Sequence, residues 1–261
     1  MLSLFSSFFV FLFGLIVGSF LNCIIYRLET QGNFLKGRSF CPHCKHILSW
    51  QDLIPIFSFI FLKGKCRYCQ KKISWQYPLV EIATGTIFLL IFSFYFIPTL
   101  FQFITTLYLF IVSSFLITIF VYDLKHYIIP DKIIYLAIAI ALIFNLLKSD
   151  FQWKSDFLIS AFAASLFFLL IVLVSRGRWM GVGDIKLAFL MGLVLGWPGI
   201  LVALLSAFYI GAIFGLGLMA LGKKKLKSEV PFAPFLVTGT FLALFWGEKL
   251  INWYQAIFLL K

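Results

Sequence analysis

Charge is what this chain has least of. Asp, Glu, Lys and Arg together make up 12% of the residues, against 62% hydrophobic residues and a mean hydropathy of +1.02. That scarcity excludes a soluble globular domain and implies a polytopic membrane protein. The first apolar run, residues 2–25, lacks a basic leading segment and has no small-residue cleavage pattern before Arg27. It is therefore expected to be a retained first span rather than a removed secretory signal. A basic soluble face is missing too: the formal net charge is +12, but the Lys and Arg residues lie between apolar runs. This argues against nucleic-acid binding and makes the charge a reporter of topology.

What remains is long apolar sequence, and its length fixes a span count. Between Tyr77 and Tyr122 the only charge is Glu81. A single helix of that length would extend roughly 69 Å, against a hydrocarbon core of about 30 Å. The run must fold back, with Pro98 at the turn. By the same argument Leu187 to Leu221 breaks at Trp197, Pro198 and Gly199. Runs near 129–147, 157–175 and 232–248 complete an all-α membrane protein of about eight transmembrane helices. Alternating crossings put 26–77, 123–132, 176–186 and 222–231 on one side, and these segments hold 18 of the 22 Lys and Arg residues. The positive-inside rule makes that side cytosolic. Loop 148–156, with Lys148, Asp150, Lys154 and Asp156, and both termini are expected outside.

The loop at 26–77 carries CPHC, Cys41 to Cys44, and CRYC, Cys66 to Cys69, with 21 residues between the pairs. Such spacing reads as a metal site in a reducing compartment and as disulfides in an oxidising one. On the cytosolic side it is close to a four-thiolate zinc site, closed and structural, folding a loop too small to build its own core. A redox role for either CxxC is the alternative. His43 and His46 are taken as loop residues, and Cys23, within the first span, as a small packing residue.

Asp123 ends the third span in FVYDLKHYIIPD, and Asp184 begins the sixth in GVGDIKLAF. Span counting alone brings both to the cytosolic boundary. Acids are expensive at that depth and mark functional sites by default. A pair from separate helices suits hydrolysis: one ionised carboxylate activates water, a protonated one hydrogen-bonds the carbonyl, and the two share a proton. Gly181 and Gly183 would permit tight turns and close approach of a substrate backbone. Capping of a helix N-terminus is the competing account of Asp184. It fails for Asp123, which sits at a C-terminal end where the dipole disfavours it. A salt bridge to Lys125, Lys132 or Lys186 stays open for either. Asp131, after Pro130, is expected to be an ordinary cap. Glu81 is expected to be an interfacial or structural acid, with a substrate role as the alternative.

Taken in order, GLIVGSFLNCIIYRL (14–28), CPHC, CRYC, ISWQYPLVEIATG (73–85), the aspartate before KHYIIPD, GVGDIKLA (181–188) and EVPFAPFL (229–236) resemble the bacterial prepilin peptidase, or type IV leader peptidase, family. GxGD alone is shared with other intramembrane aspartyl proteases; the cysteine loop between spans one and two separates this family from them. The resemblance implies an aspartic endopeptidase of the bacterial inner membrane, cutting prepilins or pseudopilins on the cytosolic side after a glycine, with Asp123 and Asp184 as its catalytic pair. It also implies N-methylation of the new N-terminal residue from S-adenosylmethionine, although no Rossmann-type glycine signature is present. The implied organisation is a first helix at 1–25, a zinc-type and methyltransferase-associated loop domain at 26–77, and a peptidase region at 78–261. A basic substrate leader meeting so many like charges would need an offset from Glu29, Asp52 or anionic lipid. A transporter, with its acids at mid-span, and a zinc-loop scaffold are the alternative functions.

Overall fold

The computed structural model describes residues 2–30, 37–147, 151–221 and 230–258. Long apolar runs with few breakers become long helices: α1 (Leu2–Glu29), α3 (Gln76–Tyr95), α4 (Leu100–His126), α5 (Asp131–Leu147), α6 (Phe151–Ser175), α7 (Val182–Leu195), α8 (Gly199–Ala220) and α9 (Ala233–Phe258). A 3₁₀ turn at Trp50–Leu53 and the one-turn helix α2 (Phe57–Phe61) lie in the cysteine loop. The breaks fall where proline and glycine put them. Pro98 lies between α3 and α4, and α7 stops before Gly196, whose φ of +64° suits a residue without Cβ. Pro198 and Gly199 then begin α8.

Six of these helices, among the described residues, are long and apolar enough to cross a membrane: α1, α3, α4, α6, α8 and α9. The remaining two, α5 with 17 residues and α7 with 14, fall short of that length. At 1.5 Å per residue α7 extends only about 21 Å. The outer loop expected at 148–156 is also shorter, since α6 already begins at Phe151 and takes in Asp156. The basic segment expected at 222–231 lies outside the described residues up to Glu229.

The chain divides into two compact units, Met1–Thr118 and Ile119–Lys261. In the first, α1 and α3 pack with their backbones nearly touching. A Cβ added at Gly14 would fall 2.7 Å from the Cα of Gly85, and one at Gly18 would fall 2.7 Å from the Cα of Glu81. This is small-residue packing of the kind that substitutes for hydrophobic driving force between helices in lipid. Asn22 fixes the register: its amide donates to the Tyr77 carbonyl at 3.0 Å and accepts from Gln76 at 3.3 Å.

In the second unit α7 is the central element. Leu187, Ala188, Leu190, Met191 and Leu193 are fully buried, against α5, α6, α8 and α9. A helix this short is tolerable at membrane depth because protein rather than lipid surrounds it. Gly192 allows the approach of α6, since a Cβ there would collide with the Ala161 backbone. Near its C-terminus, the Leu193 carbonyl accepts the amide of the buried Asn145 at 2.9 Å. The effect is to hold the N-terminal turn of α7, which carries Asp184, in a rigid setting.

Candidate active site

Asp123 lies in the last turn of α4, and Asp184 is the third residue of α7. Both side chains are buried, with 5% and 7% of their surface exposed. The two belong to the same compact unit, and the charge of one acts electrostatically on the other. Two buried acids from separate helices are thus near enough for the charge of one to act on the other.

Each acid has a backbone donor. Gly181 donates its N–H to the Asp184 Oδ2 at 3.2 Å, so the capping role weighed for Asp184 is real and holds the carboxylate in place. Asp123 faces the opposite problem, sitting where the dipole of α4 is negative. The Ala233 N–H, at the first residue of α9, donates to its carboxylate. A helix N-terminus carries unsatisfied N–H groups and partial positive charge, so α9 offsets what α4 imposes. Sequence reasoning missed Ala233, whose contribution is main-chain; Pro231 and Pro234 around it were the available sign of a helix start.

The neighbouring residues sort themselves. Gly183 packs tightly: a Cβ there would meet the Ile129 side chain at 3.1 Å, and Ile129 would have to give by a few tenths of an ångström. Gly181 is extended (φ −81°, ψ 154°), a conformation that any residue adopts, so the expected glycine turn is not seen at either position. Lys186 pairs with Asp131 at 2.6 Å and lies 4.7 Å from the centre of the Tyr135 ring. Asp131 is the first residue of α5, one place past the cap position expected of it, which Pro130 holds by accepting the Ile134 N–H, and the bridge to Lys186 ties the start of α5 to the start of α7. Glu81 is buried in the first unit and accepts the Ile56 N–H at 2.8 Å, with the Ser19 hydroxyl as a second donor, which supports the structural account.

The cysteine loop folds into two copies of one knuckle. Cys41 N–H donates to the His46 carbonyl and Cys66 N–H to that of Lys71, each at 2.9 Å; Lys45 and Gln70 return bonds to the Cys41 and Cys66 carbonyls. Lys45 and Gln70 share a left-handed conformation, φ 59° and 57°. The repeat continues in sequence, for Ser49-Trp50-Gln51 corresponds to Ser74-Trp75-Gln76, a signal that sequence reasoning passed over. The Sγ atoms of Cys41, Cys44, Cys66 and Cys69 lie within 4.8 Å of one another, all four thiols free.

This donor set fits a tetrahedral thiophilic ion. Burial works against the Cys41 thiolate, but the N–H groups of Cys44 and His43 outweigh it and bring the thiol down to about 7. The Lys71 N–H favours a Cys69 thiolate, yet burial and the neighbouring sulfurs push that thiol up to about 11. Four sulfurs this close resist becoming four anions unless a cation joins them. Neither histidine enters the group: His46 stacks on Tyr68 with ring centres 3.7 Å apart, and His43 is exposed. Cys23 is half-buried, 4.0 Å from the Ser39 hydroxyl. Asp52 is engaged within the loop, with Oδ1 2.8 Å from the Arg67 Nε and Oδ2 accepting from Ser49 and Tyr68.

Known protein families match two segments of the chain. Residues 12–95 match the bacterial peptidase A24 N-terminal domain, and residues 110–216 match the type IV leader peptidase family. The chain belongs to the type IV leader peptidase family. It is 33% identical to a prepilin leader peptidase/N-methyltransferase of Aeromonas hydrophila over 96% of this chain and 94% of that protein. Proteins of the same description from Bacillus subtilis (strain 168) and Legionella pneumophila are 33% and 34% identical, over 94% and 93% of this chain and 96% and 92% of theirs. No solved structure matches. The transporter and scaffold readings find no support among these relatives.

Proposed function

We propose that this chain is an aspartic endopeptidase of the bacterial inner membrane that removes the leader of prepilin-like proteins, with Asp123 and Asp184 as its catalytic pair. The observation that carries this is the convergence of two buried carboxyl groups from α4 and α7, each held by a backbone N–H from a helix start. One carboxylate activates a water molecule while the other, protonated, hydrogen-bonds the scissile carbonyl and then supplies the proton to the departing amine. The two carry one proton between them, and the backbone bonds fix their orientation before substrate arrives.

On this reading the pair works at the cytosolic face, where water is available and the substrate leader remains. Cleavage after a glycine, at the edge of the substrate's apolar helix, suits that depth. We assign Cys41, Cys44, Cys66 and Cys69 a structural zinc ion, which would complete a tetrahedron and join the two knuckles. Functionally the chain divides into the first helix at 1–25, the cysteine loop at 26–77 and the peptidase region at 78–261. The relatives' description as N-methyltransferases supports N-methylation of the processed product, for which S-adenosylmethionine is the donor we propose. No strand-and-glycine cofactor site occurs among the described residues.

The test is cleavage of a prepilin-type substrate by purified wild type, Asp123→Asn and Asp184→Asn in lipid, with product mass read with and without S-adenosylmethionine. Loss of cleavage in both folded variants supports the pair, and a gain of about 14 Da on the mature fragment supports methyl transfer. Full cleavage by either variant would refute the two-aspartate mechanism.

A further inference from the structure

The cysteine loop exposes more apolar surface than a water-facing metal knuckle needs. Trp50 is 73% exposed, Trp75 69%, Phe61 80%, Ile60 63% and Phe57 54%. Trp50 and Trp75 hold the same position in the two repeats, so each knuckle presents one tryptophan. Patches of this kind on a folded surface mark an interaction site.

The depth of this edge can be measured from within the first unit. Ile56, just before α2, gives its N–H to Glu81, and Phe59 of α2 lies 5.0 Å from Trp75, ring centre to ring centre. Glu81 is five residues past the start of α3 at Gln76, about 7.5 Å along the helix axis. At 20 residues, α3 extends about 30 Å, a length that matches the thickness of the hydrocarbon core. A backbone bond to Glu81 therefore pins the start of α2 level with the membrane-spanning part of α3. Ile56 adopts φ +61° to make it, a conformation that β-branched residues avoid.

The polar remainder of the loop has the complementary charge. From Arg38 to Trp75 there are seven Lys and Arg residues and one acid, Asp52, which is bonded to Arg67. Aromatic residues at the headgroup level with cations above them are the composition of an interfacial anchor on an anionic leaflet.

We propose that the exposed apolar side chains on and around α2, Trp50, Phe57, Ile60, Phe61 and Trp75, form an apolar edge that inserts into the anionic lipid leaflet beside α1 and α3, so that the cysteine loop is embedded in the membrane surface and not held above it. The occupant of the apolar edge is lipid acyl chain. The surrounding cations take the headgroups.

The experiment uses the full chain, one copy per nanodisc, with a spin label carried on a keto amino acid at position 61 or, as control, at position 71, leaving all cysteines native. Oxygen partitions into acyl chains and a nickel chelate into water. Position 61 should collide with oxygen several-fold more than with the chelate, position 71 the reverse, and replacing zwitterionic by anionic lipid should raise the oxygen preference at 61. Chelate access at 61 equal to that at 71 would overturn the proposal, placing the edge in water. Exclusion of both reagents at 61 would overturn it too, placing the edge under protein. Indifference to lipid charge would overturn the headgroup half. Both labelled positions are exposed, and unchanged thermal unfolding verifies the fold of each labelled chain.

Discussion

The Ala233 N–H at the start of α9 is bonded to the Asp123 carboxylate at the end of α4. This places the positive end of one helix against an acid that its own helix disfavours. Removing the donor without removing the helix start isolates the effect: proline is tolerated in a first helical turn but has no N–H. Ala233→Pro should lower kcat/KM for prepilin cleavage by about 10–100-fold, the equivalent of a hydrogen bond to a charged group. Ala233→Ser, which enlarges the side chain and keeps the N–H, should retain most activity; equal loss in both would assign the effect to crowding.

Asp123→Asn and Asp184→Asn should each cost at least about 100-fold in cleavage rate, the low end for loss of a general acid or base. Their combination should cost little more than either alone, because the two act as a unit. Multiplying losses would show that they work independently.

Much of this was legible in the sequence, and the boundary has physical causes. Span counting located the helix breaks because Pro98 and Trp197-Pro198-Gly199 leave the chain no other choice. The eight-span counting expected Asp123 and Asp184 at one face, whereas six helices among the described residues are long enough to cross; cysteine spacing gave the four-sulfur group. The break at Trp197 already made α7 short; what was hidden is that protein encloses it, because an apolar run looks alike whether lipid or protein surrounds it. Ala233 was hidden because its donor is main-chain. Two signals were present and passed over: the Gly14-x-x-x-Gly18 spacing and the Ser-Trp-Gln repeat after each knuckle.

The glycine spacing yields a graded stability test. A Cβ at Gly14 or Gly18 meets α3 backbone at 2.7 Å, whereas one at Gly215 or Gly217 meets nothing within 4 Å. Gly215→Ala and Gly217→Ala should be neutral or stabilising by up to about 1 kcal/mol through helix propensity. Gly14→Ala and Gly18→Ala should destabilise by about 1–3 kcal/mol through overpacking, measured by reversible unfolding in detergent. Equal behaviour of the two pairs would mean that α1 and α3 are not in backbone contact.

Metal removal has a proton signature. With Cys69 held near 11 in the absence of a cation, uptake of the ion must displace protons. Calorimetric titration of zinc into chelator-stripped protein at pH 7.5 should give a heat that varies with buffer ionisation enthalpy. The stripped loop should be cut by protease between the two knuckles, and Cys41→Ala should abolish stoichiometric zinc. A protease-resistant stripped loop would mean that the knuckles fold without metal.

Asp52 supplies a pH test within the same loop. Burial works against its charge, but the Ser49 hydroxyl and N–H, the Arg67 guanidinium and the Tyr68 hydroxyl outweigh that and hold the carboxyl below the ordinary carboxylate range. A carboxyl lowered by folding contributes stability that is fully present above its unfolded value, near 3.9, and is lost as the pH falls through the folded value. Asp52→Asn should therefore lower the loop's resistance to unfolding at neutral pH, and the gap from wild type should close only below about pH 4. Zinc leaves the cysteines in acid as well, so bound zinc is measured at each pH and the two chains are compared at equal zinc content, which keeps the two proton sinks apart. A gap that closed near neutral pH would assign the titration to a group other than this carboxylate.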